Sequence, residues 1–125
     1  MGNRAVLEFE DNPVGIYLHW NGGRNTVEPL LEVAREYGVR GDDYGVARLA
    51  QMIGNFFGGT LSIGVGLVDR MDCDNGDNGV YLIDNNLNII ERKYFSGQEQ
   101  TKDDPKLIKQ HFKKINDDIF KKENE

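Results

Sequence analysis

Residues 14–38 read VGIYLHWNGGRNTVEPLLEVAREYG, and within this stretch the hydrophobic period changes from strand-like to helical. Val14, Ile16, Leu18 and Trp20 alternate with Gly15, Tyr17 and His19, the pattern of a strand with one buried face. Val27, Leu30, Leu31, Ala34 and Tyr37 then recur at the spacing of one helix face. Asn21-Gly22 would be a strong hairpin signal if a second strand followed it, and none does, so the glycine pair joins a strand's end to a helix's start. Thr26 is the expected N-cap. Pro29 is then the third helical residue, where a missing N–H costs nothing, and Gly38 the C-terminal stop. Two readings of Gly22 and Gly23 stand side by side. One is a turn that needs positive φ; the other is an anion held by the free amides and positive dipole end of the helix, with Arg24 adding a charged fork.

Upstream, RAVLEFE at 4–10 alternates Ala5, Leu7 and Phe9 against Arg4, Val6, Glu8 and Glu10, and DNP turns the chain into the strand that ends at Trp20, which predicts a hairpin. Downstream, Asp42 or Asp43 caps a second helix with the stripe Val46, Leu49, Ala50, Ile53 and Phe57, and Gly58 and Gly59 end it. In TLSIGVGLV at 60–68, Leu61, Ile63, Val65 and Leu67 face one way. Ser62, Gly64 and Gly66 face the other, where a backbone, ring or ligand comes close. A polar loop over 69–79 precedes a second hairpin, VYLID and IIERKYF around NNLN. Pro105 opens a third helix with the stripe Ile108, Phe112, Ile115 and Ile119.

These elements predict one α+β domain over 1–125: a small antiparallel sheet of two hairpins plus a glycine-rich strand, two central helices and a C-terminal helix. Residues 1–96 form the expected core, 97–104 a linker, and 105–122 a helix used in packing or oligomerisation. Leu107 and Phe120 extend that helix's apolar surface beyond one stripe, so a homo-oligomer, a dimer or higher, is expected.

With 21 acidic and 15 basic side chains the net charge is −6, which argues against a surface that coats a nucleic acid polymer. No apolar run reaches the roughly 20 residues of a membrane span. The N-terminus lacks the charged-then-apolar pattern of a signal segment, so a cytoplasmic protein without membrane partners is expected. Cys73 is the only cysteine, and flanking Asp72 and Asp74 should raise its thiol pKa and suppress the thiolate. Asp69, Asp72, Asp74 and Asp77 do not follow calcium-loop spacing, so no metal is expected.

The second helix has an unusual surface. From Tyr44 to Val68 the only charged side chain is Arg48, where a solvated face normally carries several charges. Asp69, Asp72 and Asp84 are its expected partners within the chain, and a bound pyrophosphate the expected partner from outside. Tyr44, Arg48, Gln51 and Asn55, spaced by four, three and four, form one row along the helix. A ring, a guanidinium and two amides can stack on a base, pair with a phosphate and read polar edges. The same row can equally meet another subunit. No nucleophile elbow, Walker loop or dinucleotide fingerprint is present, and His19 and His111 are not brought together by any sequence feature, so no catalytic residue and no cofactor are assigned.

GIYLHWNGGRN at 15–25, DYGVARLAQMIGNFFGGTLSIGVG at 43–66 and DCDNGDNGVYLI at 72–83 together resemble the first Thoeris anti-defence family of small phage and prophage proteins. The resemblance covers roughly residues 14–84. It implies an α+β homo-oligomer that encloses a glyco-cyclic ADP-ribose signal, made by TIR-domain immune proteins, without cleaving it. It also implies capture of cyclic oligonucleotide signals at separate sites. The groups suited to such a ligand are the glycine amides of Gly22 and Gly23 with Arg24 and Arg48 for pyrophosphate, and Trp20, Tyr44 and Phe56 for adenine. Asn21, Gln51, Asn55 and Asp72 suit ribose hydroxyls and polar edges. The rival classes are a nucleotide-processing enzyme and a purely structural interaction module.

Overall fold

The computed structural model describes residues 3–59, 61–99 and 103–123. Strands β1 (Ala5–Phe9) and β2 (Asn12–Leu18) form the expected hairpin, with Ala5 opposite Leu18 and Leu7 opposite Ile16. Helices α1 (Arg24–Glu36) and α2 (Asp43–Phe57) follow, then β3 (Ile63–Leu67), a short 3-10 turn (Val68–Arg70), β4 (Val80–Ile83), β5 (Ile89–Lys93) and α3 (Pro105–Glu123). The class is α+β, as the sequence predicts. The five strands lie in the order β3-β2-β1-β4-β5, and β1 pairs with β4 in parallel, so the sheet is mixed rather than wholly antiparallel. Alternation cannot reveal that joint, because it is closed by the polar loop.

Ala5, Leu7 and Phe9, Ile16 and Leu18, and Tyr81 and Ile83 share one sheet face and meet Val27, Leu30, Leu31 and Ala34 of α1 and Val46, Leu49 and Ile53 of α2 in one core. Helix α3 adds the fully buried Phe112. It runs alongside α1 in the same direction: Thr26 bonds Asp103 near both N-termini, and Lys109 and Lys113 reach Glu32 and Glu36 further along. Residues 100–102 of the expected linker lie outside the described residues.

Several local expectations are corrected. Helix α1 starts earlier than the Thr26 cap allows: Gly23, extended at φ −69° and ψ 156°, is the N-cap, and the Thr26 hydroxyl donates instead to Asp103 Oδ2 at 2.6 Å. Pro29 is therefore the sixth helical residue rather than the third. Strand β2 ends at Leu18, so Trp20 leaves the core face, and it is exposed with its ring edge-on to His19 at 4.5 Å. The left-handed residue of that turn is Asn21, at φ 54°. Other ends match expectation. Gly38, at φ 80°, closes α1, with its N–H on Arg35 O and that of Val39 on Ala34 O. Asp42 caps α2 by accepting from Gly45 N at 2.7 Å, and Gly58, at φ 66°, ends it.

Candidate functional site

The residues singled out in the sequence fall in three separate places. The first is the turn into α1. Gly22 lies against β1, where an added Cβ would come within 2.6 Å of Asn3 O and 2.7 Å of Ala5 Cβ. Its N–H donates to Asn3 O, and its carbonyl accepts the buried Tyr81 hydroxyl at 2.6 Å. Burial raises the Tyr81 pKa well above the ordinary tyrosine value, which keeps that hydroxyl a donor. The glycine is thus required for close packing, a use that neither sequence reading included. Carboxylates of the chain itself supply negative charge at this end of α1: Asp103 on Thr26, and Glu28 on Arg24 at 3.2 Å. An open cleft of ≈ 430 Å³ beside them carries Arg24, Lys106 and Lys109 together with Glu28 and Glu32.

The second place is the loop that crosses the other face of the sheet. Arg4 organises it: Nε meets Asp77 Oδ2 at 2.8 Å, one terminal nitrogen meets Asp72 Oδ2 at 3.3 Å, and the other donates to Asn75 O. Buried Asn75 binds the loop from inside, donating to Asp72 O and Gly79 O and accepting from the amides of Asp77 and Gly79. Desolvation pushes the Asp77 pKa up, but the Arg4 side-chain and backbone hydrogen bonds outweigh it and leave the carboxyl below its ordinary value. Asp72 therefore serves an ion pair far in sequence from the second helix's row. Cys73 beside it has a raised pKa, chiefly from burial and then from Glu8 and Asp72, whereas the sequence credited only its aspartate neighbours.

The third place gathers most of the α2 row. Arg48, Gln51 and Asn55 line an open cleft of ≈ 370 Å³ together with Tyr37, Val39 and Met52, and with Asn116, Ile119 and Phe120 of α3. Tyr44 stands outside it, 79% exposed. Phe56 is turned inward, packing edge-to-face on His111 at 5.4 Å and on Phe112 at 5.6 Å. At the cleft floor Asn55 Nδ2 donates to Asn116 Oδ1 at 3.0 Å, and Asn116 Nδ2 donates to Phe112 O. Tyr37 donates to Asp117, and burial followed by that carboxylate holds its pKa above the ordinary tyrosine value. Arg48 is solvent-exposed, so it carries no desolvation cost that a partner must offset; Asp72 and Asp84, two of its expected partners, are engaged by Arg4 and by the 84–88 turn.

Asn116 and Tyr37 were missed as cleft residues. The signal was present: Asn116 lies four residues after Phe112, on the buried side of α3, and a polar group there requires a partner. The cleft has a size in the range of small-molecule sites, and its lining has one guanidinium, three amides, a phenol and apolar side chains, with no carboxylate. The sheet-side cleft of ≈ 490 Å³ has four carboxylates, those of Glu8, Asp69, Asp72 and Asp74. Among the described residues no group of histidine, cysteine and acidic side chains could hold a metal ion, and no helix is long and apolar enough to cross a membrane. No protein-family model, curated protein or solved structure matches the chain.

Proposed function

We propose that this protein is a phage or prophage anti-defence protein of the host cytoplasm that sequesters a glyco-cyclic ADP-ribose signal without cleaving it, as a homo-oligomer. The observation that carries the reading is the α2–α3 cleft. In a chain of net charge −6 it pairs a guanidinium with amides and apolar walls and keeps carboxylates out of its lining. Arg48 supplies a fork for a phosphate oxygen, and Gln51 and Asn55 offer donors and acceptors to ribose or base edges. Met52, Ile119 and Phe120 give a base an apolar surface. The three sequence stretches that resemble the Thoeris anti-defence family support the same ligand class, and cyclic oligonucleotides would be held at a different site.

Arg48→Ala is the variant to titrate. Its exposure predicts apo stability within about 0.5 kcal/mol of the parent. Affinity for a glyco-cyclic ADP-ribose isomer should fall by about 2 kcal/mol or more, roughly 30-fold in Kd, because a bound phosphate desolvates the pair. Calorimetric titration with a parallel thermal melt checks both. Unchanged affinity would remove the cleft assignment, and a ring-opened product would make the protein an enzyme.

A further inference from the structure

The glycine-rich strand is unlike the rest of the surface. Strand β3 forms one edge of the sheet, and its outer side meets no other strand among the described residues. The opposite edge, β5, carries Glu91, Arg92 and Lys93, the charges by which natural sheets discourage further pairing. β3 carries none, and its apolar face is left partly bare: Val65 is 56% and Leu67 40% exposed, with Leu61 just before the strand at 84%. Its other face is flat, for a Cβ on Gly66 would meet nothing within 4 Å and one on Gly64 only Tyr17 at 3.8 Å. The sequence expectation of a close-approaching group at these glycines is thus met at Gly64 only by ordinary contact with the Tyr17 side chain, and at Gly66 by nothing among the described residues.

We infer that a second copy of this chain pairs with β3, edge to edge and antiparallel, about a twofold axis at Val65. The strand Ile63-Gly64-Val65-Gly66-Leu67 reads nearly the same in both directions. Antiparallel pairing centred on Val65 sets Ile63 against the partner's Leu67, Gly64 against the partner's Gly66 and Val65 against itself. Apolar meets apolar and glycine meets glycine. A twofold contact sets the residue on the axis against its own copy, so a charge there would oppose a like charge; an uncharged strand is the kind that tolerates this geometry. An axis perpendicular to the sheet keeps the two apolar faces on one side, where Val65 and Leu67 of both copies join into one strip beside the two α2 helices. The α3 stripe is a poorer candidate, since Phe112 is consumed inside the chain and the exposed Leu107 lies at the helix's far end from Phe120. The pairing does not depend on the identity of any ligand.

Sedimentation of the parent, Val65→Lys and Ile90→Lys tests it. The lysine of Val65→Lys would face its own copy across the axis, whereas Ile90 lies on the other edge strand, exposed in the same way. The parent should sediment at twice the chain mass or a multiple of it, Ile90→Lys likewise, and Val65→Lys at half the parent's mass with an unchanged circular dichroism spectrum. Hydrogen exchange of the parent over a dilution series gives a measurement free of mutation: amides 63–67 should slow as concentration rises. A monomeric parent at tens of micromolar, an assembly that survives Val65→Lys, or exchange at 63–67 that is independent of concentration would overturn the pairing.

Discussion

Replacing Gly45 by alanine should abolish stable folding, whereas the same change at Gly54, about two and a half turns along the same helix, should stabilise the protein. Helix α2 begins against the chain that leads into it, and a Cβ at residue 45 would sit 1.6 Å from the carbonyl oxygen of Arg40, well inside contact distance. Neither atom is the end of a flexible side chain. Relief therefore requires moving the Arg40 backbone or the first turn of α2, and with it the Asp42 cap that accepts the Gly45 amide. The expected loss exceeds about 4 kcal/mol, in the range reserved for such backbone conflicts. Gly54 has only Ile63 Cδ1 near its missing Cβ, at an ordinary 3.5 Å, so alanine there gains up to about 1 kcal/mol of helix propensity. Thermal melts of the two variants should move in opposite directions. A Gly45→Ala protein melting near the parent would mean that α2 does not start in this register.

The second large effect is expected at Phe112. It is the residue by which α3 enters the core: fully buried, edge-to-face with Phe56, and one turn before Asn116, whose amide bonds its carbonyl. Phe112→Ala should cost about 3–5 kcal/mol, the range for deleting a buried ring and leaving a cavity. In a chain of this size that lowers the melting midpoint by roughly 10–20 °C. The transition should remain single by both far- and near-ultraviolet circular dichroism, because α3 shares one core with α1 and α2. Leu107→Ala, on the exposed side of the same helix, should change stability by no more than about 0.5 kcal/mol. A separate early melt of α3, or equal small effects from both variants, would reduce α3 to an appendage.

What the sequence made legible was what neighbours along the chain determine. The first hairpin, the Asp42 cap and the stops at Gly38 and Gly58 each depend on a few consecutive residues, and each is found where the pattern places it. The start of α1 was misplaced because the Thr26 hydroxyl, an apt cap by local rules, is drawn to Asp103 at the head of α3. The parallel joint of β1 and β4 escaped for a similar reason: it is set by Arg4 gripping Asp72, Asp77 and Asn75, groups roughly seventy positions away. Of the proposed site, the Arg48, Gln51 and Asn55 row was readable from helical spacing and from the absence of other charges. Its opposite wall was not, since Asn116 and Phe120 join it only through the packing of α3 on α2. Trp20, Arg24 and Asp72 have residue types suited to a nucleotide but do not line the α2–α3 cleft, which shows how little residue type fixes location.

Heat release of a bound nucleotide tests sequestration most directly. Purified protein is mixed with a slight deficit of a glyco-cyclic ADP-ribose isomer, the unbound fraction is removed by filtration, and the retained protein is boiled. The predicted result is a filtrate depleted of nucleotide, followed by full recovery from the denatured protein of a molecule with unchanged mass and retention time. Nucleotide left free in the first filtrate, or recovered as the linear product heavier by one water, would contradict it.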